Sequence, residues 1–145
     1  MLHLGFGDDG TTACSIARRA PDGMVLGVDP SDDNVRAARR LAVELENVMF
    51  VVGSPEAIPW QENFFSVLLA AEVTAEWARP EQAAREMFRV LAPGGRLYLA
   101  GGAEPWVGRL TAAGFEEIAP GDVLAAVKPA VPDPRPDRNP LQVIR

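Results

Sequence analysis

Apolar residues along the chain switch repeatedly between short continuous runs and helical spacing. Runs at 1–4, 24–29 and 48–53 predict three buried strands, and runs at 66–71 and 96–101 predict two more. Between these runs the apolar residues recur every three or four positions, which indicates amphipathic helices. Buried strands that alternate with helices are typical of a doubly wound α/β fold with a parallel sheet and helices on both of its faces.

Capping residues and turn residues predict where the helices begin and end. A first helix starts at Thr11, and Ser31 is a suitable N-cap for a second one. Pro80 suits the first turn of a third helix, which the turn at 92–95 ends. The predicted buried face of the second helix consists of Val35, Ala38, Leu41, Ala42 and Leu45. After the fifth strand, the pattern predicts a short helix at 105–113 that stops at Gly114, then strands near 115–119 and 123–128.

Two segments of different composition divide the chain. Residues 1–128 carry the alternating pattern and are predicted to form one α/β domain. Residues 129–145 contain five of the 13 prolines, so we expect a proline-rich C-terminal tail that is extended rather than packed.

Composition excludes several classes of function. The formal net charge is −6, which disfavours nucleic acid and anionic membranes as partners. One cysteine and one histidine exclude a disulfide framework and disfavour a protein-built metal site. No apolar run approaches the roughly 20 residues that span a membrane, and no signal peptide is recognisable at the start. We therefore expect a cytoplasmic, soluble protein.

The stretch GFGDDG at 5–10 places three glycines between the first strand and the first helix. Glycines at the carboxyl end of a strand let the backbone approach a ligand closely. Asp29 ends the second strand and can accept hydrogen bonds from ribose hydroxyls, although it can also simply favour the dipole of the next helix. Because Asp8 and Asp9 would oppose a pyrophosphate, NAD is a less suitable ligand than a cationic nucleoside.

The order of these motifs resembles the class I S-adenosylmethionine-dependent methyltransferases, in particular the small-molecule type related to ubiquinone and menaquinone methyltransferases. The resemblance extends to about residue 128, and its most specific part is the helix that ends in RVLAPGG and is followed by an apolar strand. It also includes LHLGFGDDG, VLGVDPSDDNVRAARR, GSPEAIPWQENFFSVLLAAEV and AAGFEEI. The resemblance implies a Rossmann-like sheet of about seven strands with an antiparallel last strand, S-adenosylmethionine as cofactor and a small-molecule acceptor. The cofactor contacts that it implies are His3, Gly5, Gly7, Asp8, Asp29, Pro30, Ser54, Pro55 and Ala71.

Three positions depart from the family pattern. His3 stands where the family has an acidic residue for the cofactor's ammonium group, and Asp8 or Asp9 is a candidate to compensate. Ser54 stands where the family has an aspartate that accepts from the adenine amino group. Ser66 replaces the aspartate before the fourth strand, and the glycine loop is one residue longer than the commonest form. These departures keep open a second hypothesis, a methyltransferase-like binding or interaction module without turnover.

Candidates for the chemistry and for the acceptor are few. Methyl transfer depends mainly on proximity and orientation, so no catalytic dyad is required. Glu72, after the fourth strand, is the candidate base, and it can equally be a solvated loop residue. Trp60, Trp77 and Trp106 are candidates for the acceptor pocket, with core packing as the alternative. Because the chain begins at the first strand and has no covering insertion of the kind that the family usually carries, we expect one of three cases. Another subunit, either a second copy or a partner chain, covers the cofactor site, the proline-rich tail covers it, or the protein is a fragment or a binding-only relative.

Overall fold

The computed structural model describes residues 1–7, 10–70, 77–101 and 104–130. Within these ranges the chain alternates strands and helices as the hydrophobic pattern predicts. The elements in chain order are β1 Leu2–Leu4, α1 Thr11–Arg19, β2 Val25–Asp29, α2 Asp32–Leu41, β3 Val48–Val52, β4 Phe65–Ala70, α3 Pro80–Val90, β5 Leu91–Ala100, α4 Trp106–Ala113, β6 Glu116–Ala119 and β7 Val123–Val127.

One seven-stranded sheet in the order β3-β2-β1-β4-β5-β7-β6 organises the described residues. The first five strands pair in parallel, while β7 runs antiparallel to both β5 and β6. The prediction of a mostly parallel, Rossmann-like sheet with an antiparallel last strand is therefore confirmed. Strands β1 to β5 all end at the same edge of the sheet, which we call the carboxyl edge.

The two faces of the sheet bury separate cores, because successive strand residues point to opposite sides. We call the first the α1–α2 core; it combines buried residues of those helices with Phe6, Val25 and Phe50. We call the second the α3–α4 core; it combines Met87, Trp106 and other residues of those helices with alternate strand positions such as Leu26 and Val28. Helices thus cover both faces, as predicted.

The local signals for helix ends are confirmed at three places. Ser31 caps α2, where its Oγ accepts a hydrogen bond from the backbone N of Asn34 at 3.2 Å. Pro80 occupies the first turn of α3. Gly114 ends α4 in the left-handed region, with φ of 112°, which costs a glycine little.

Two predictions about local structure are wrong. Leu41 is 40% exposed rather than buried, because Val35, Ala38 and Ala42 define the buried face of this helix and Leu41 lies about 100° around the helix axis from Ala42. Strand β5 begins at Leu91 rather than at residue 96, since Leu91 pairs with Phe65 before the register shifts and Arg96 pairs with Val67. The predicted turn at 92–95 therefore lies within this strand as an irregularity, with Gly94 at φ of 80°.

Lys128 follows β7 and is buried, a placement that the sequence pattern does not indicate. Its Nζ donates to Oδ1 of Asn63 at 2.8 Å, to O of Phe88 at 2.8 Å and to O of Leu91 at 2.9 Å. Burial lowers the pKa of Lys128, and the three acceptors compensate for the lost hydration. The lysine therefore joins the end of β7 to the carboxyl end of α3.

No helix among the described residues has the length and apolar character that crossing a bilayer demands.

Candidate functional site

The loops after β1, β2 and β3 lie side by side at the carboxyl edge. The backbone N of Gly5 donates to O of Val28 at 2.7 Å, so the glycine loop starts against the end of β2. The backbone N of Gly53 donates to O of Asp29 at 3.0 Å, so the loop after β3 starts against the same strand end. The structure therefore brings together Gly5, Gly7, Asp29 and Ser54, four of the residues that the sequence singles out.

The glycines of the loop are needed for different structural reasons. Gly5 and Gly7 adopt φ of 63° and 58°, in the left-handed region that favours glycine. Gly10 also has a positive φ, of 85°, and a Cβ there would lie 2.6 Å from Cβ of Ala38 and 2.9 Å from Cζ of Phe50. Gly10 is thus required where α1 packs against α2, which explains a glycine that comes late compared with the commonest form of the family loop.

Asp29 is 3% exposed, and its carboxylate joins the glycine loop to the start of α2. Oδ2 accepts from the backbone N of Gly7 at 2.8 Å. Oδ1 accepts from the backbone N of Ser31 at 2.9 Å and from Nδ2 of Asn34 at 3.2 Å. Because these three donors come from two elements, Asp29 holds the glycine loop in place whatever ligand the site takes.

Ser54 forms a compact unit with Glu56, which sequence reasoning missed. The Ser54 hydroxyl donates to Oε2 of Glu56 in a very short hydrogen bond, and Oγ accepts from the backbone N of Glu56 at 3.1 Å. Oε1 of Glu56 accepts from the backbone N of Arg79 at 3.3 Å. A carboxylate two residues after Ser54 is therefore hydrogen bonded to the serine hydroxyl. The only sequence signal for it is the spacing of a glutamate two residues beyond a hydroxyl.

The pKa of Glu56 is lowered by these contacts. Burial alone would raise the pKa of this carboxyl. The hydrogen bonds from the Ser54 hydroxyl and from the backbone N–H groups of Glu56 and Arg79, with the charge of Arg79, outweigh that effect. Glu56 is therefore an ionised acceptor at neutral pH.

A second polar cluster fixes the loop that follows Glu56. Arg89 donates from Nη2 to O of Ile58 at 2.9 Å and from Nη1 to O of Trp60 at 2.8 Å. Glu86 pairs with Arg89 at 2.8 Å and accepts from the backbone N of Ile58 at 2.9 Å. Helix α3 therefore holds the loop at 54–60 against the sheet.

Other predicted cofactor contacts lie in different environments. His3 is 1% exposed within β1, and its ring centroid is 6.3 Å from that of Phe6. Pro30 is exposed, while Pro55 is buried beside Ser54. Ligand contacts from these three residues stay predictions. The apolar residue Ile58, in the same loop as Ser54 and Pro55, is 3% exposed and belongs to the α3–α4 core.

Four predicted residues cannot be placed. Asp8 and Asp9 lie outside the described residues, as do Ala71 and the candidate base Glu72. Their proposed roles toward the cofactor ammonium and toward the acceptor therefore stay predictions.

The three tryptophans separate into two places. Trp77 and Trp106 meet in a T-shaped contact with ring centroids 5.3 Å apart, and Cζ2 of Trp77 is 3.7 Å from the position of a Cβ on Gly5. Trp60 lies instead at the opposite edge of the sheet, in the wall of a cavity of about 180 Å³ that Met24 and Phe64 also line. The prediction that Trp60 is a candidate for the acceptor pocket is therefore wrong, because the loop at 54–64 leads from the carboxyl edge of the sheet to the opposite edge, where Trp60 lies.

The sequence is similar to those of known methyltransferases. Residues 2–99 match the model of a family described as a methyltransferase domain. The chain is 33% identical over 100 residues to the ubiquinone/menaquinone biosynthesis C-methyltransferase UbiE of Pasteurella multocida, a match that covers 67% of this chain and 37% of that protein. The chain spans between 28% and 40% of the length of the curated relatives that it matches.

Solved structures share the fold at lower sequence identity. The [4+2]-cyclase SpnF superposes with a TM-score of 0.79 and 24% identity, over 90% of this chain and 74% of that one. A SAM-dependent methyltransferase from Aquifex aeolicus superposes with a TM-score of 0.75 and 18% identity, over 88% of this chain and 80% of that one. At these identities the similarity shows the fold alone.

Proposed function

Because the chain belongs to the class I S-adenosylmethionine-dependent methyltransferase family, we propose that it transfers a methyl group from S-adenosylmethionine to a small-molecule acceptor. One observation carries the proposal. The buried carboxylate of Asp29 stands at the carboxyl end of β2 and is hydrogen bonded to the glycine loop. Parallel α/β sheets bind nucleosides at this position.

The residues present fit a nucleoside. A carboxylate offers about four lone pairs, and the described donors to Asp29 use three of them. The lone pair left on Oδ2 can accept a hydrogen bond from one ribose hydroxyl without displacing Gly7. The loop that carries Ser54 and Glu56 starts against the end of β2, and an ionised acceptor such as Glu56 suits the amino group of a purine.

When bound, S-adenosylmethionine supplies a methyl group on a sulfonium; the acceptor forms a bond to the methyl carbon, the carbon–sulfur bond breaks to leave a neutral thioether, and the acceptor loses a proton. The described residues bind and orient rather than react. Gly5 and Gly7 let the backbone approach the ligand, and Asp29 holds both the loop and the ribose. Glu72 is the candidate to take the acceptor's proton.

A small-molecule acceptor is proposed from the curated relatives. The relatives named UbiE are C-methyltransferases of ubiquinone and menaquinone biosynthesis, so those proteins act in the synthesis of small molecules. The acceptor of this chain can be sought by mass spectrometry of metabolites that co-purify with it or gain a methyl group in its presence.

Calorimetric titration tests the cofactor. We expect heat of binding with S-adenosylmethionine and with S-adenosylhomocysteine and none with NAD, because the pyrophosphate of NAD is anionic and the GFGDDG stretch contains the carboxylates of Asp8 and Asp9. If neither S-adenosylmethionine nor S-adenosylhomocysteine binds, the proposal is wrong. Binding without methyl transfer to any acceptor would instead favour the module without turnover.

Asp29→Asn tests the ribose assignment. We expect the substitution to weaken S-adenosylhomocysteine binding about ten-fold or more, because a hydrogen bond to a charged acceptor is lost. Asp122→Asn is the matched control, since Asp122 is exposed and precedes the antiparallel β7 at the same edge. Equal affinities for the two variants, with both folded by circular dichroism, would contradict the assignment.

A further inference from the structure

The sheet order identifies a crevice between two central strands. Chain connections lead from β1 outward through β2 to β3, and from β4 outward in the other direction to β5. Strands β1 and β4 are neighbours in the sheet, with Leu4 paired to Ala70 at their carboxyl ends. In doubly wound sheets the loops diverge at such a point and leave room for a ligand.

Trp77 stands across this crevice. It follows β4 in the chain, yet its Cζ2 is 3.7 Å from the position of a Cβ on Gly5, which follows β1. The side chain is partly buried, so part of the indole surface remains accessible. Trp77 is therefore an aromatic wall beside the start of the glycine loop, and it packs against the α3–α4 core without being fully buried.

Neighbouring side chains hold the indole in place. Trp106 is 2% exposed and meets Trp77 at an angle of 81° between the rings. The guanidinium carbon of Arg109 lies 5.2 Å from the centre of the Trp106 ring, and Arg109 pairs with Glu81 at 3.4 Å. Because the Trp77 indole is fixed in this way, its accessible surface is suited to contact a ligand group.

The ligand group that reaches Trp77 follows from the positions of Asp29 and Glu56. If Asp29 holds the ribose and the loop after β3 holds the base, the substituent on the 5′ carbon points away from β3. It then extends past β1 toward β4, where Trp77 lies. In S-adenosylmethionine that substituent begins with the cationic sulfonium.

We propose that the indole of Trp77 contacts the sulfonium of S-adenosylmethionine through a cation–π interaction. The inference rests on the proposed function and adds a residue that distinguishes the charged cofactor from its neutral product. S-adenosylhomocysteine carries a thioether in place of the sulfonium and lacks this attraction. Trp77 thereby favours binding of the methyl donor and release of the demethylated product.

The test compares the affinities of the two nucleosides in variants. We expect Trp77→Leu to weaken S-adenosylmethionine binding about two- to five-fold more than S-adenosylhomocysteine binding, because only the former loses a cation–π contact. Trp77→Phe keeps an aromatic face and should retain part of the preference. Trp60→Phe is the matched control at the opposite edge and should leave the ratio of the two affinities unchanged.

A second measurement covers the case in which Trp77→Leu folds poorly. Tryptophan fluorescence of the wild-type protein should change when S-adenosylmethionine binds; Trp77→Phe should lose most of that change, and Trp60→Phe should keep it. Wild-type binding with the same affinity ratio in all variants would overturn this inference and leave the proposed function standing. Absence of wild-type binding to both nucleosides would overturn both.

Discussion

Some residues at the carboxyl edge have structural roles that the local sequence does not indicate. Gly10 belongs in the sequence to the glycine stretch at 5–10, but in the structure it is the point where the start of α1 packs against Ala38 and Phe50. Ser54 likewise acts together with Glu56 rather than alone. In both cases the residue type was visible in the sequence, whereas the atoms that it contacts come from another element or from the shape of a loop.

Gly10→Ala should lower the free energy of unfolding by about 2–4 kcal/mol, because the added Cβ meets packed atoms and the backbone has a positive φ. Gly94→Ala is the matched control. Gly94 has φ of 80° and nothing within 4 Å of the added Cβ, so it should show only the backbone cost of about 1 kcal/mol. Urea unfolding measures both, and equal losses would show that packing at Gly10 is not tight.

At the scale of elements, the connection between β3 and β4 is a loop that helix α3 holds. Glu86 and Arg89 bind backbone atoms of Ile58 and Trp60. Glu56 accepts a hydrogen bond from the backbone N of Arg79, the residue before α3. The loop therefore has a defined position without a helix of its own. Since the same loop carries Ser54 and Glu56, the α3 cluster also positions one side of the candidate site.

The substitution Glu86→Gln should show how much the cluster of Glu86 and Arg89 stabilises the fold, because the loss of stability should depend on pH. Hydrogen bonds from Arg89 lower the pKa of Glu86, which outweighs the opposite effect of burial. A carboxyl whose pKa is lower in the folded state contributes stability above its unfolded pKa and loses it as the pH falls through the folded value. We expect the free energy of unfolding of the wild type to exceed that of Glu86→Gln by about 1–2 kcal/mol near pH 7 and by much less near pH 3.

Glu81→Gln is the control for that prediction. Glu81 pairs with Arg109 at 3.4 Å, but its side chain is 64% exposed, so the pair should contribute little at any pH. Chemical denaturation at several pH values measures both variants. A difference between wild type and Glu86→Gln that does not shrink in acid would contradict the role of the charge.

For the whole molecule, one sheet shared by two cores predicts cooperative unfolding. The α1–α2 core and the α3–α4 core take alternate residues of the same strands, so neither layer can be lost without exposing the other face. Trp60, Trp77 and Trp106 all belong to or pack against the α3–α4 core. Their fluorescence therefore reports on one layer, while circular dichroism reports on both.

We expect the fluorescence and circular dichroism transitions to coincide on heating. Saturating S-adenosylhomocysteine should move both together, with a stabilisation of about 2.7 kcal/mol when the ligand is at 100 times its Kd. NAD at the same concentration should leave the midpoint unchanged. Two separate transitions would show that the layers unfold independently.

The order and type of the elements follow from local patterns, because apolar periodicity, N-caps such as Ser31 and stops such as Gly114 act within a few residues. The glycine loop and Asp29 were also recognisable, since the loop directly follows one buried strand and Asp29 ends the next. Tertiary structure alone decided the order of strands in the sheet, the binding of Asp29 to Gly7, and the positions of Trp77 beside Gly5 and Trp60 at the opposite edge. These contacts join residues far apart in the chain, and periodicity within a segment carries no information about which distant segment will lie beside it.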